Sequence, residues 1–161
     1  MRLGITLILT GVLVAGPVGS EGAPIDDPVK KELQLLQGTW AIAGKEFMGQ
    51  EATKEEVAKL RAEIVIKDGK WVLWSDDNET TKKEIVWEAT IKLDLKAKPK
   101  ALDLTYTTGE LKGKTDKAIY EITGDTLKVC YAFDEGDERP TEFAGKGNGK
   151  ALFLTYKRVK K

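Results

Sequence analysis

Residues 83–93 carry Ile85, Trp87, Ala89, Ile91 and Leu93 at every second position, with Glu84, Glu88, Thr90 and Lys92 in the opposite phase. A period of two held over that length does not fit a helix, whose apolar positions recur every three or four residues. It requires a strand with one face toward an apolar interior. The same alternation returns in Leu102, Leu104 and Tyr106, then in Ala118, Tyr120 and Ile122. It continues in Leu127, Val129, Tyr131 and Phe133, and finally in Leu152, Leu154 and Tyr156. Asp68-Gly69 and Gly124-Asp125 are tight-turn signals between such runs. About eight short strands follow, with none of the rhythm of alternating strands and helices that builds parallel sheets. An antiparallel meander of that length leaves exposed edges unless it closes on itself, so an up-and-down barrel is expected.

Two short helices interrupt the strand pattern. Val29, Leu33 and Leu36 recur at helical spacing behind Asp27 and Pro28, a capping candidate followed by a residue suited to the first helical position. Thr53 and Glu56 have the spacing of a capping box ahead of Val57 and Leu60. The chain has 161 residues, 41% of them hydrophobic, which suits one domain with a core of its own. Lys and Arg number 26 and Asp and Glu number 26, interleaved throughout, so no basic stripe for nucleic acid is present.

The N-terminus has the anatomy of a signal peptide. Arg2 precedes an apolar run of roughly 14 residues and then the small residues Gly19, Ser20, Gly22 and Ala23. That run is short of the ~20 residues a transmembrane helix needs, and an uncleaved anchor is the competing reading. Residues 1–22 are read as signal peptide and residues 23–161 as the barrel domain. The mature chain is expected to be exported, periplasmic or extracellular, without stable membrane insertion.

Leu36-Gln37-Gly38-Thr39-Trp40 opens the first strand. Gly38 lets the backbone turn without a Cβ, and Trp40 plugs one end with an indole whose N–H needs a partner when buried. Further on come Lys98-Pro99-Lys100-Ala101-Leu102-Asp103-Leu104, Ile119-Tyr120-Glu121 with Gly124-Asp125-Thr126-Leu127, Val129-Cys130, and Glu138-Arg139-Pro140-Thr141-Glu142-Phe143. In this order the set resembles the lipocalin-like domain family abundant in planctomycete bacteria, over nearly all of the mature chain. The resemblance implies an all-β, antiparallel, eight-stranded, up-and-down lipocalin-like barrel in an exported bacterial protein, with one or two short helices. The Gly-x-Trp also resembles the first lipocalin signature, in which an arginine of the last strand lies over the tryptophan. Arg158 is the matching candidate and Arg139 its rival.

No catalytic constellation emerges. The chain has no histidine, hence neither the commonest general base nor the commonest transition-metal ligand. The single cysteine, Cys130, excludes an intrachain disulfide and lies out of phase with Val129 and Tyr131, as a packed thiol would. Glu84, Glu88 and Asp103 fall on the outward phase, which suits solvated carboxylates. Asp76, Asp77, Asn78 and Glu79 lack the spacing of a calcium loop. Neither metal nor cofactor is implied.

Trp87, Tyr106, Tyr120, Tyr131 and Tyr156 fall on the inward faces, where they would line a cavity and offer hydroxyl anchors to a small apolar or amphipathic ligand. An eight-stranded interior is just wide enough to be filled or to admit one small ligand, and a filled or nearly filled interior is the expectation. With a solid interior, the loops would instead meet a protein or envelope partner.

Overall fold

The computed structural model describes residues 27–76, 82–132, 136–146 and 151–160. The leader expected over residues 1–22, the turn residues 77–79 and Phe133 lie outside the described residues. Those described form helices α1 (Pro28–Leu36) and α2 (Lys54–Lys59). They also form nine strands: β1 (Gly38–Phe47), β2 (Gln50–Glu51), β3 (Ala62–Lys67), β4 (Lys70–Asp76), β5 (Lys83–Asp94), β6 (Ala101–Tyr106), β7 (Thr115–Thr123), β8 (Thr126–Ala132) and β9 (Ala151–Arg158).

Every pairing is antiparallel. β3 to β9 follow one another in chain order, and β1 joins β3 to β9. Eight strands thus close into an up-and-down barrel. The two-residue β2 hangs from the end of β1 as a short hairpin, too short to template another strand. Asp68 (φ 51°) and Gly69 (φ 75°) both have positive φ, as a two-residue turn matched to strand twist requires.

The alternation breaks in β5. Leu73 pairs with Trp87 but Trp74 pairs with Ile85, so Val86 is an extra residue. A bulge reverses the phase of everything before it. Ile85, expected to face inward, is 46% exposed and Val86 50%. From Trp87 onward the predicted inward face holds, with Ala89 buried and Ile91 and Leu93 packed on the core.

Asp27 caps α1, accepting a hydrogen bond from the Val29 amide at 3.0 Å. The helix turns a face other than the expected one toward the barrel: Glu32 and Leu36 are buried while Val29 is exposed. The reason is polar pairing, since Glu32 has partners waiting at the barrel end (below). α2 begins at the expected capping box, Thr53 N–H donating to Glu56 Oε2 at 2.8 Å and Glu56 N–H to Thr53 Oγ1 at 3.3 Å.

A second, smaller apolar cluster lies on the outer wall. Ile119, Cys130 and Ala151 are covered there by Phe143 and Phe153, whose rings are 6.1 Å apart. Residues 136–146 therefore form a strap over β6 to β9. No helix among the described residues is long and apolar enough to cross a membrane.

Candidate functional site

The two ends of the barrel differ in kind. At the α1 end the indole of Trp40 is fully buried and donates to the Leu36 carbonyl at 2.9 Å. Arg158, the cross-strand partner of Trp40, places its guanidinium carbon 4.0 Å from the centre of that ring. It also donates to the Gln37 carbonyl and, at 2.8 Å, to that of Leu35. These are the last carbonyls of α1, which otherwise lack intrahelical donors. Gly38 has φ 132°, and a Cβ there would sit 2.7 Å from the Arg158 guanidinium, so only glycine fits beneath it. Gly38, Trp40 and Arg158 thus form one closure.

Arg139 takes no part in it. Its guanidinium lies on the outer wall, donating to the Ala118 carbonyl at 2.7 Å, the Leu102 carbonyl at 3.0 Å and Asp103 Oδ1 at 2.6 Å. Asp103 faces outward as predicted but is paired, not merely solvated.

Tyr120 belongs to the same closed end. Its hydroxyl donates to Glu32 Oε1 at 3.2 Å, and Lys100 Nζ reaches the same oxygen at 2.7 Å. Burial first, and then the charge of Glu32, hold the Tyr120 phenol well above its ordinary range. The expectation that Tyr120 lines a ligand cavity gives way to a structural role, that of tethering α1.

At the opposite end the interior is incompletely filled. A cleft of about 170 Å3 is lined by Trp87, Tyr106, Asp116, Tyr131, Ala132, Leu152 and Leu154. Trp87 and Tyr106 meet edge to face with centroids 5.0 Å apart. Tyr156 is not in the wall. It lies behind it, with its hydroxyl 3.3 Å from that of Tyr131 and its ring against Trp71 at 6.3 Å. Of the five residues expected to line a cavity, Trp87, Tyr106 and Tyr131 come together there, Tyr156 supports one of them, and Tyr120 is elsewhere.

Asp116 escaped the sequence reading. It shares the inward phase of Ala118 and Tyr120 on β7, so its carboxylate faces the barrel mouth, where the Tyr106 hydroxyl donates to it. The signal was present as a polar residue on an apolar phase. Tyr106 is pushed well up by burial, with further contributions from the Asp116 hydrogen bond and charge. Tyr131 and Tyr156 are raised chiefly by burial.

All four tyrosines of the chain are thus raised. Cys130 joins them, pushed up to about 11 by burial on the outer wall. For each group the folded state holds a proton that the unfolded chain releases sooner. Stability is therefore intact below the unfolded values, about 8.5 for thiol and 10 for phenol, and falls as pH climbs beyond them. Phenolate absorbance should appear in one step together with loss of the circular dichroism of the barrel. Four independent titrations near pH ~10 in a still-folded protein would contradict this environment.

No family model and no curated protein matches the chain. Among solved structures, an uncharacterized protein from Bacteroides eggerthii is similar at a TM-score of 0.47 and 8% identity, over 76% of this chain and 98% of that one. A mutant of the fluorescent protein UnaG is similar at a TM-score of 0.38 and 17% identity, over 80% of this chain and 99% of that one. Neither value bears on ligand or activity, and the barrel is defined by its own strand pairing, a closed antiparallel ring with one sealed end and one open cleft.

Proposed function

We propose that this chain is an exported, non-catalytic, lipocalin-like module that holds a small apolar or amphipathic molecule in the cleft at the barrel mouth. The observation that carries the reading is the asymmetry of the ends. One is sealed by Trp40, Arg158 and α1, while the other leaves about 170 Å3 among aromatic and aliphatic side chains. An apolar cavity of about 150 Å3 accepts a benzene ring, so the cleft suits one ring or a short aliphatic chain. Binding without turnover is supported by the lack of histidine and by a cysteine that is buried with a raised thiol. Export rests on the signal-peptide anatomy, and membership of the lipocalin-like family on the motif order.

The test is an NMR titration of the protein with 2-phenylethanol, beside a Leu152→Trp variant that fills the cleft. A ligand this small gives dissociation constants of about 0.1–1 mM. Saturable shifts at Trp87 and Tyr131, abolished in a folded Leu152→Trp protein, are the expected result. Shifts that do not saturate, or that persist with the cleft filled, would remove the proposal.

A second reading draws on the bulge. Ile85 and Val86 are exposed apolar residues directly before Trp87, and a filled barrel could present them to a protein partner. Retention of a partner that Val86→Lys abolishes and Leu152→Trp leaves unchanged would favour that reading.

A further inference from the structure

From the chemistry of the cleft wall we infer that its ligand is a small organic cation, an ammonium carried on one ring or a short chain. The inference rests on the cleft being a ligand site at all, and it narrows the class of ligand.

The cleft has one ionisable acid and no base. Among the described residues that line it, Asp116 is the only one with a formal charge, and neither Lys nor Arg is among them. The carboxylate is held there by the fold. Asp116 pairs with Leu104 across β6 and β7, and the inward phase it shares with Ala118 and Tyr120 turns it toward the mouth. Tyr106, from the end of β6, donates its hydroxyl to one carboxylate oxygen, which fixes the orientation of the group. A half-buried carboxylate at the mouth of an apolar cleft repels a second anion and attracts a cation.

The remaining wall suits the same charge. Trp87 and Tyr106 stand edge to face, 5.0 Å between centroids, so their ring planes are nearly perpendicular and a π-face can be offered toward the cleft. Aromatic faces beside a carboxylate favour an ammonium over a neutral group of the same shape, because the ring quadrupole attracts positive charge. The Tyr131 hydroxyl, paired with Tyr156, can accept a hydrogen bond from an ammonium as well as donate one. Leu152, Leu154 and Ala132 supply the apolar side for the ring or chain.

The other features of the molecule carry less. Glu32, Tyr120 and Lys100 satisfy one another at the closed end. Cys130 is covered by the strap, and the depression beside α2 is a surface groove with mixed charges.

The experiment compares three probes of one ring and one short chain, differing in headgroup: 2-phenylethylammonium, 2-phenylethanol and 3-phenylpropanoate. Each is titrated by NMR at low ionic strength into the protein and into Asp116→Asn, which keeps the shape of the side chain and removes its charge. The ammonium is expected to bind about 10-fold or more tighter than the alcohol, and about 100-fold tighter than the carboxylate. The margin should shrink with added salt and fall within about two-fold in the Asn variant. Should Asp116→Asn fail to fold, the headgroup order and its salt dependence in the unaltered protein decide the matter. If the alcohol or the carboxylate binds as tightly as the ammonium, or the preference survives in Asp116→Asn, the inference is overturned while the ligand site stands. If none of the three binds, the ligand site falls and this inference with it.

Discussion

Chemical denaturation of a Trp40→Ala protein should show a loss of about 3–5 kcal/mol, the largest drop expected from any single exchange in this chain. Against a total of about 5–15 kcal/mol for a domain of this kind, that is enough to leave a measurable unfolded population at room temperature. The indole fills the sealed end, donates to the Leu36 carbonyl and supports the Arg158 guanidinium. Its removal costs volume and leaves a carbonyl and a cation without their partner. Arg158→Ala should cost about 2–4 kcal/mol, combining the stack on the indole with hydrogen bonds to the α1 carbonyls. Arg158→Lys retains the charge but loses the planar fork, so it should fall between Arg158→Ala and the unaltered protein. Because the two residues share one interaction, their effects should not add. A double-mutant cycle should return about 1–2 kcal/mol of coupling. The control is the other fully buried tryptophan, Trp71, whose indole N–H has no hydrogen-bond partner among the described residues. Trp71→Phe removes an unsatisfied donor along with some volume, whereas Trp40→Phe removes a satisfied one and weakens the cation contact. Trp40→Phe should therefore be the more costly of the two by about 1–2 kcal/mol. Equal costs would show that the sealed end depends on volume alone.

Why this end was legible in the sequence, and the cleft only in part, follows from where each signal lies. Gly38 and Trp40 are local: a glycine ahead of an aromatic at the start of an alternating run constrains backbone and packing within three residues. The turns at Asp68-Gly69 and Gly124-Asp125 are local in the same way. Choosing between Arg158 and Arg139 needed strand register, because both are arginines within reach of apolar runs. Arg158 continues the inward phase of Leu154 and Tyr156, whereas Arg139 precedes a proline in a stretch with no alternation. The bulge at Val86 left no trace, since Ile85 and Val86 are both good strand residues and nothing in their chemistry marks the extra position. Glu32 was illegible for another reason. A carboxylate on a helix reads as exposed until its partners are known, and Lys100 and Tyr120 lie 68 and 88 positions away. Tyr120 was misassigned with it, because an inward phase says which face a side chain is on but not which end of the barrel it reaches. Asp116 could have been found by extending the phase of Ala118 and Tyr120 one step back.

Release of the strap should be visible at a single atom. The Cys130 sulfur is fully buried on the outer wall and donates to the Ala144 carbonyl at 3.4 Å, beneath Phe143 and Phe153. In the closed state a thiol reagent meets two barriers there, steric cover and a thiol raised to about 11, so little thiolate is present at pH ~8. Labelling therefore has to wait for an opening, and its rate reports the free energy of that opening when reclosure is fast. Arg139 is the main polar tether, through two strand carbonyls and Asp103, with the Lys117 ammonium adding a contact to the Asp137 carbonyl at 3.3 Å. Arg139→Ala should raise the labelling rate of Cys130 about 10–100-fold, the equivalent of losing about 1.4–2.8 kcal/mol of local attachment. The glycine that closes the strap offers an independent route to the same state. A Cβ on Gly145 would come 2.7 Å from the backbone carbon and oxygen of Glu46, so Gly145→Ala must lift this end off β1. Expected during the sequence reading to sit in a flexible loop, Gly145 is instead a contact point. Both variants should label faster while the strand signal in circular dichroism is unchanged, because the eight-stranded ring does not pass through residues 136–146. Opening also returns the thiol toward its ordinary range, so in both variants the labelling rate should gain from rising pH up to about 8.5 and level off beyond it. If Cys130 reacts at the global unfolding rate in all three proteins, the strap and the barrel open as one unit and the outer cluster has no independent stability.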